Sequence, residues 1–119
     1  MLNGQLETTT AVVSLLGGKK VLKREIAEQD ELREIVRQGL PFGALETFAH
    51  TTRIPLALIA KVLGLAPRTL ARRKDHRLFT PVESDRLYRL ARIASMAIQI
   101  LGSQDKATQW LERSSRALG

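Results

Sequence analysis

Residues 63–77 read LGLAPRTLARRKDHR, which places a tight Leu-Gly-Leu turn directly before a strongly basic segment. Two helices that cross steeply around a short turn need a glycine in the turn and a small residue where their backbones meet. Gly64 supplies the first, and Ala60, four residues earlier, supplies the second. Apolar residues that can face a covering helix stand at Ile59, Leu63, Leu65 and Leu70. The spacing predicts a helix-turn-helix unit whose second helix covers residues 67–74.

The second helix would point Arg68, Thr69 and Arg72 away from the core, where they are candidates for DNA reading. Arginine can donate two hydrogen bonds to guanine or clamp a phosphate, and threonine can bond a phosphate or touch a thymine methyl group. Lys74 and Arg77 stand where contacts with the DNA backbone are expected more than contacts with bases. The alternative is an ordinary helical hairpin with a solvated, arginine-rich end.

Arg73 departs from this pattern, because helix-turn-helix units generally carry an apolar residue three positions after the one at Leu70. Two roles are open to its side chain. It can leave the core and bind a DNA phosphate, or it can pair with an acid such as Glu83 or Asp85. We include Arg73 among the predicted DNA contacts.

The net charge of +7 is concentrated in one part of the chain. Residues 66–92 hold eight Arg or Lys against three acids, an excess of five, and the remainder is nearly balanced. Such an excess favours a phosphate partner, because neutralising it releases counterions. A basic face that only keeps the protein in solution, or one that meets an acidic protein, would have the same composition.

The composition also bounds the class of protein. A chain of 119 residues fits one domain, and the absence of cysteine excludes disulfides, thiolate catalysis and cysteine-ligated zinc. No leader peptide and no long apolar run occur, so we expect a soluble, cytoplasmic protein that is not exported. His50 and His76 are isolated, so no catalytic, metal or cofactor site is predicted, and we expect no enzyme activity.

Helical periodicity predicts an all-α fold, and no alternating strand pattern appears. Thr80, Pro81 and Glu83 form the clearest helix start, a threonine cap with proline at the first helical position and glutamate at the third. The long helix that follows is apolar on more than one face in its second half, which is typical of a core or a dimer interface. The predicted helices span residues 8–16, 21–38, 42–51, two short segments around Gly64, 81–101, and a last helix capped by Ser103.

Four linked segments carry a family resemblance: GLP, IAKVLGLAPRTLARRK, TPVESDRLYRLARI and KATQWLERSSRALG. Together they resemble the antitoxins of the Xre/MbcA/ParS type, the partners of RES-domain toxins, over roughly residues 15–119. The resemblance implies an Xre-like helix-turn-helix half that binds operator DNA and represses its own operon. It also implies a helical half that binds a RES-domain toxin, usually within a homodimer. The toxin degrades NAD⁺, so NAD⁺ is its substrate and no cofactor is implied for this chain.

On this resemblance the chain divides into an N-terminal helical segment (1–38), a DNA-binding region (39–78) and a toxin-binding and dimerisation region (79–119). The family normally continues past its ALG segment, so we expect the usual C-terminal end to be missing here. Candidate partner-binding residues are Arg86, Arg89 and Trp110. For the two arginines, which recur at helical spacing, a DNA-facing stripe and a plain solvated face are the alternatives. The alternative function is a helix-turn-helix repressor, or a protein-interaction module, with no toxin partner.

Overall fold

A computed structural model describes residues 2–76 and 78–118, and the side chains of residues 8–75 and 78–117. The described chain is built of helices with no strand, which confirms the predicted all-α fold. The helices are α1 (Leu2–Leu15), α2 (Gly18–Leu22), α3 (Gln29–Gln38), α4 (Phe42–Thr52), α5 (Leu56–Val62), α6 (Pro67–His76), α7 (Pro81–Leu101) and α8 (Gln104–Leu118). No helix in these ranges is both long and apolar enough to cross a bilayer.

The single helix predicted over residues 21–38 is wrong. Lys23 adopts a left-handed conformation with φ of 68° and ends α2, and α3 begins only after Glu28. The Glu31 carboxylate accepts a hydrogen bond of 3.1 Å from the backbone N–H of Glu28, which closes the start of α3. Hydrogen bonds from the backbone N–H groups of Glu28 and Ala27 hold the pKa of Glu31 below its ordinary value.

Most other predicted boundaries are confirmed. The helix predicted over residues 8–16 is present but begins earlier, and Pro55 is the N-cap of α5. Thr80 caps α7, since its hydroxyl accepts from the backbone N–H of Glu83 at 3.2 Å while the Glu83 carboxylate accepts from the N–H of Thr80 at 2.9 Å. Ser103 caps α8 by accepting from the N–H of Lys106.

The helices share one apolar core, and α7 lies at its centre. It packs against α1, α3 and α8, which explains why small residues, three alanines and two serines, predominate on its buried side. Side chains from both the first and the second half of the chain are fully buried in this core, among them Leu16, Leu32, Leu45, Phe48, Ile59 and Leu87.

A junction between two non-helical segments fixes where α7 begins. The backbone N–H of Phe79 donates to the carbonyl of Leu40 at 2.8 Å, and the Phe79 ring stacks on Phe42 with centroids 5.8 Å apart. Gly39 has φ of 112°, and a side-chain carbon there would lie 2.5 Å from the Phe79 carbonyl oxygen, so glycine is required. The start of α7 is therefore held firmly against the α3–α4 connection.

Candidate nucleic-acid interface

The predicted helix-turn-helix is formed by α5, the turn around Gly64 and α6. Gly64 adopts φ of 77°, and the backbone N–H of Leu65 donates to the carbonyl of Ala60 at 2.8 Å, which closes the turn. Ile59, Ala60, Leu63 and Leu65 are buried as the sequence pattern predicts, and Leu70 packs partly against them.

The basic side chains of α6 fall into two groups. Arg68, Arg72 and Lys74 are exposed, and no carboxylate in the described part of the chain pairs with any of them. Arg68 and Arg72 are four residues apart and therefore lie on one face of the helix, one turn from each other. Thr69 beside them is half-buried, and the predicted contact Arg77 lies outside the described residues.

Arg73 belongs to the second group, because it takes the ion-pair role that the sequence left open. Its Nε donates to Oε1 of Glu83 at 2.7 Å and its Nη2 donates to Oε2 at 3.3 Å, a two-point contact with the first turn of α7. Only 19% of the Arg73 side chain and 12% of the Glu83 side chain are exposed.

The protonation state of this pair is well defined. Burial alone would raise the pKa of Glu83, but hydrogen bonds from the Arg73 guanidinium and from the Thr80 N–H outweigh it and hold that pKa below its ordinary value. The hydrogen bond to Glu83 in turn raises the pKa of Arg73. Both groups are charged across the physiological pH range, so the pair is a charge-assisted contact.

The three candidate partner-binding residues do not form one cluster. Arg86 donates from Nη1 to the carbonyl oxygen of Leu63 at 3.1 Å, which places its guanidinium at the turn of the helix-turn-helix. Arg89 forms an exposed ion pair of 2.9 Å with Asp85, one turn away on the same helix. Trp110 lies on α8, and 46% of its surface is exposed.

Trp110 borders an apolar groove of about 270 Å³ between α7 and α8. Three large apolar side chains of α7, Ile93, Met96 and Ile100, are exposed at this groove, and Ile100 is 80% exposed. They recur at helical spacing on the side of α7 that faces away from the core. We call Ile93, Met96 and Ile100 the apolar stripe of α7.

One feature of the surface was missed from the sequence. Lys61 is exposed in the last turn of α5 and borders a second groove, of about 540 Å³, together with Pro67 and Leu70 of α6. Its position one turn before Gly64 could have indicated that it lies beside the turn of the helix-turn-helix. The apolar stripe lies in the second half of α7, where the sequence places apolar residues on more than one face of the helix.

In the part of the chain that the structure describes, no group of three or more histidine, aspartate or glutamate side chains lies close enough together to hold a metal ion.

Comparison with known proteins agrees with this geometry. The family model described as the antitoxin Xre-like helix-turn-helix domain matches residues 31–92, which run from α3 to the middle of α7. The chain belongs to this family.

A curated relative is the protein named Antitoxin Xre from Yersinia enterocolitica serotype O:8 / biotype 1B (strain NCTC 13174 / 8081). It is 30% identical to the chain over 90 residues, which are 74% of this chain and 61% of the relative. The chain thus spans about three-fifths of the length of that relative. No solved structure matches the chain.

Proposed function

We propose that this protein is the antitoxin of a type II toxin–antitoxin system, which binds operator DNA to repress its own operon and neutralises a RES-domain, NAD⁺-degrading toxin. The observation that carries the DNA-binding part is the pair Arg68 and Arg72, exposed on one face of α6 without an internal acid. Unpaired arginines on the second helix of a helix-turn-helix are suited to the major groove, where arginine recognises guanine.

We assign the contacts by position on the unit. Arg68, Thr69 and Arg72 read base edges, while Lys74 and Arg77 bind phosphates. Lys61 is added as a phosphate contact, because its ammonium group is exposed beside the start of α6. Arg73 is removed from the reading set, because its guanidinium is already bound by Glu83 on two atoms.

We further propose that the toxin and a second copy of the chain bind on the α7–α8 side of the molecule. The support is the apolar stripe of α7 with the neighbouring indole of Trp110, since large exposed apolar groups at one place are typical of protein interfaces. Arg89 has further N–H donors for such a partner, whereas the Arg86 guanidinium lies at the turn around Gly64 and is not assigned to this surface. The RES-domain identity of the toxin rests on the sequence resemblance.

The DNA-binding part is tested with duplex DNA from the promoter of the protein's own gene. We expect the purified protein to shift this duplex, with log affinity falling steeply against log salt concentration. The double variant Arg68→Ala/Arg72→Ala should lose the shift and keep its helical circular dichroism. Arg33→Ala/Arg37→Ala is the matched control, because both arginines are exposed and four residues apart on α3 and the net charge falls by the same amount. Equal losses in both double variants would reject α6 as the reading helix.

The toxin-binding part has a genomic and a biochemical test. We expect a RES-domain gene beside the gene for this chain, and co-purification of the two products. NAD⁺ hydrolysis by the purified toxin should fall when the chain is added in equimolar amount. DNA binding without any effect on the toxin would favour the alternative, a repressor that has no toxin partner.

A further inference from the structure

Apolar packing alone does not fix the orientation of α6. Among residues 67–75 no side chain is fully buried, and only Thr69, Leu70 and Arg73 are half-buried. A helix of ten residues with one partly buried leucine has little apolar surface to hold it in one pose. DNA reading nevertheless requires that its outward side chains meet base edges within hydrogen-bonding distance.

The contact between Arg73 and Glu83 supplies a directional restraint. Arg73 is one turn beyond Leu70, so its side chain leaves α6 on the side that faces the protein. Two hydrogen bonds to one carboxylate fix both the distance and the plane of the guanidinium. Both side chains are largely screened from solvent, which makes this pair stronger than an ordinary surface ion pair.

Glu83 is itself held in place. The oxygen that accepts from Arg73 also accepts from the N–H of Thr80, as part of the cap of α7. The next residue, Ser84, is fully buried, and its hydroxyl accepts from the N–H of Leu40 at 2.7 Å. The carboxylate therefore extends from a rigid point of the core.

The same helix also restrains the turn at the other end of α6. We call α5, the turn around Gly64 and α6 together the reading unit. Arg86 of α7 donates to the carbonyl of Leu63, which lies at the end of α5 and has no partner within the helix. A side-chain carbon at position 64 would lie 3.0 Å from the same Arg86 nitrogen, so the guanidinium packs directly on the turn. One restraint is at the turn that precedes α6, and the other is in its last turns.

We propose that Glu83 and Arg86 are positioning residues for DNA reading: Glu83 acts through Arg73 and Arg86 acts through the Leu63 carbonyl, and together they fix α6 in the pose that places Arg68 and Arg72 on base edges. This inference rests on the proposed DNA binding, and it assigns a role in it to the first two turns of α7.

The test uses Glu83→Gln and its matched control Asp85→Asn in the full chain. Each variant replaces an acid by its amide on the first turns of α7, and each removes one negative charge. Glutamine can still accept from the Thr80 N–H with its one oxygen, but its amide nitrogen cannot accept from Nη2 of Arg73 and the charge of the pair is lost. Asp85 pairs only with Arg89 among the described residues and does not touch the reading unit. Any difference between the two variants therefore reports the contact with Arg73 and not the general charge.

The first measurement is hydrogen exchange of the free protein, which needs no DNA. We expect amides of residues 68–75 to exchange faster in Glu83→Gln than in the wild type and in Asp85→Asn, with α1 and α8 unchanged. Arg86→Gln should have its largest effect around residues 63–66. Unchanged exchange of α6 in Glu83→Gln would overturn the proposal.

The second measurement compares affinity for the promoter duplex with affinity for a scrambled duplex of equal length and base composition. We expect Glu83→Gln to lower this ratio about tenfold, because a displaced helix loses a base contact, and to leave the salt slope unchanged. Arg73→Met and the double variant Arg73→Met/Glu83→Gln should show the same loss as Glu83→Gln, since all three break one contact. Additive losses with a reduced salt slope for Arg73→Met would overturn the proposal, because Arg73 would then bind DNA directly.

The failure of the two proposals can be told apart. If the wild type binds neither duplex, the proposed DNA binding is rejected, and with it the role of Glu83 and Arg86 in reading, whatever the exchange measurement shows. If the wild type binds and Glu83→Gln keeps the full affinity ratio, DNA binding stands and the positioning role is rejected.

Discussion

The hydroxyl oxygen of Ser84 accepts a hydrogen bond of 2.7 Å from the backbone N–H of Leu40, a residue 44 positions earlier in the chain. Both residues are fully buried. This bond joins the first turn of α7 to the segment between α3 and α4, and it satisfies an N–H group that lies outside any helix.

Replacing Ser84 by alanine leaves this N–H buried and without a partner. We expect Ser84→Ala to lower the free energy of unfolding by about 1 to 3 kcal/mol, measured by chemical denaturation. Ser14→Ala is the control, since Ser14 is exposed within α1, and we expect a change within about 0.5 kcal/mol there. Equal effects in the two variants would contradict the role given to the Ser84 hydroxyl.

Two glycines with positive φ differ in why an alanine would be unfavourable there. At one an added carbon would meet another part of the chain, and at the other only the backbone conformation is strained. Gly39 and Gly18 have φ of 112° and 64°, but only at Gly39 would an added carbon strike backbone, the Phe79 carbonyl. We expect Gly18→Ala to cost about 1 kcal/mol of unfolding free energy, and Gly39→Ala to cost at least about 2 kcal/mol more. Thermal denaturation of both variants measures the difference. Similar melting temperatures would show that the contact between Gly39 and the Phe79 carbonyl can rearrange at little cost.

The Arg73–Glu83 pair predicts a dependence of stability on pH. Since the pKa of Glu83 is lowered in the folded protein, its contribution is complete above the ordinary value of 4.5 and is lost as the pH falls through the folded value. Glu83→Gln cannot titrate, and we expect it to be about 1 kcal/mol less stable than the wild type at pH 7. Denaturation at several pH values should show the two proteins converging below pH 4.5. A difference in unfolding free energy that stays constant down to about pH 2.5 would show that ionisation of Glu83 does not contribute to stability.

The apolar stripe of α7 predicts an effect on association without an effect on folding. Ile93→Lys/Ile100→Lys places charges on two exposed positions, so we expect the unfolding free energy to change by less than about 1 kcal/mol. Binding of the toxin or of a second copy should weaken at least about tenfold, because charges would replace apolar contacts. Val82→Lys is the control, since Val82 is 63% exposed near the start of α7, outside the groove. Light scattering measures self-association, calorimetric titration measures toxin binding, and chemical denaturation measures the free energy of unfolding.

The sequence predicts best where a signal is local. The cap of α7 at Thr80, Pro81 and Glu83, and the glycine turn at Gly64, are short patterns whose hydrogen bonds lie within a few residues, and both are confirmed. The break after α2 was missed because residues 23–28 contain no glycine or proline. There the left-handed Lys23 and the partly buried Ile26 bring the chain back onto the core, which is a tertiary preference.

The site was predicted in the same uneven way. Exposure of Arg68 and Arg72 follows from helical periodicity, so it could be inferred from spacing alone. The sequence offered two roles for Arg73, and only the position of α7 relative to α6 decides between them. The bond from Arg86 to Leu63 joins residues 23 positions apart and needs a side chain and an unpaired carbonyl to meet in space, so no sequence rule indicates it.

The proposed positioning role of Glu83 and Arg86 also bears on how the reading unit can be exchanged between relatives. A graft of residues 39–78 would carry α5 and α6 into a new protein and leave both positioning side chains behind. A graft that extends to residue 92, where the family match ends, would bring them along with the first half of α7. For a hybrid that is to keep both side chains, the splice point therefore lies inside α7 and not in the loop before it.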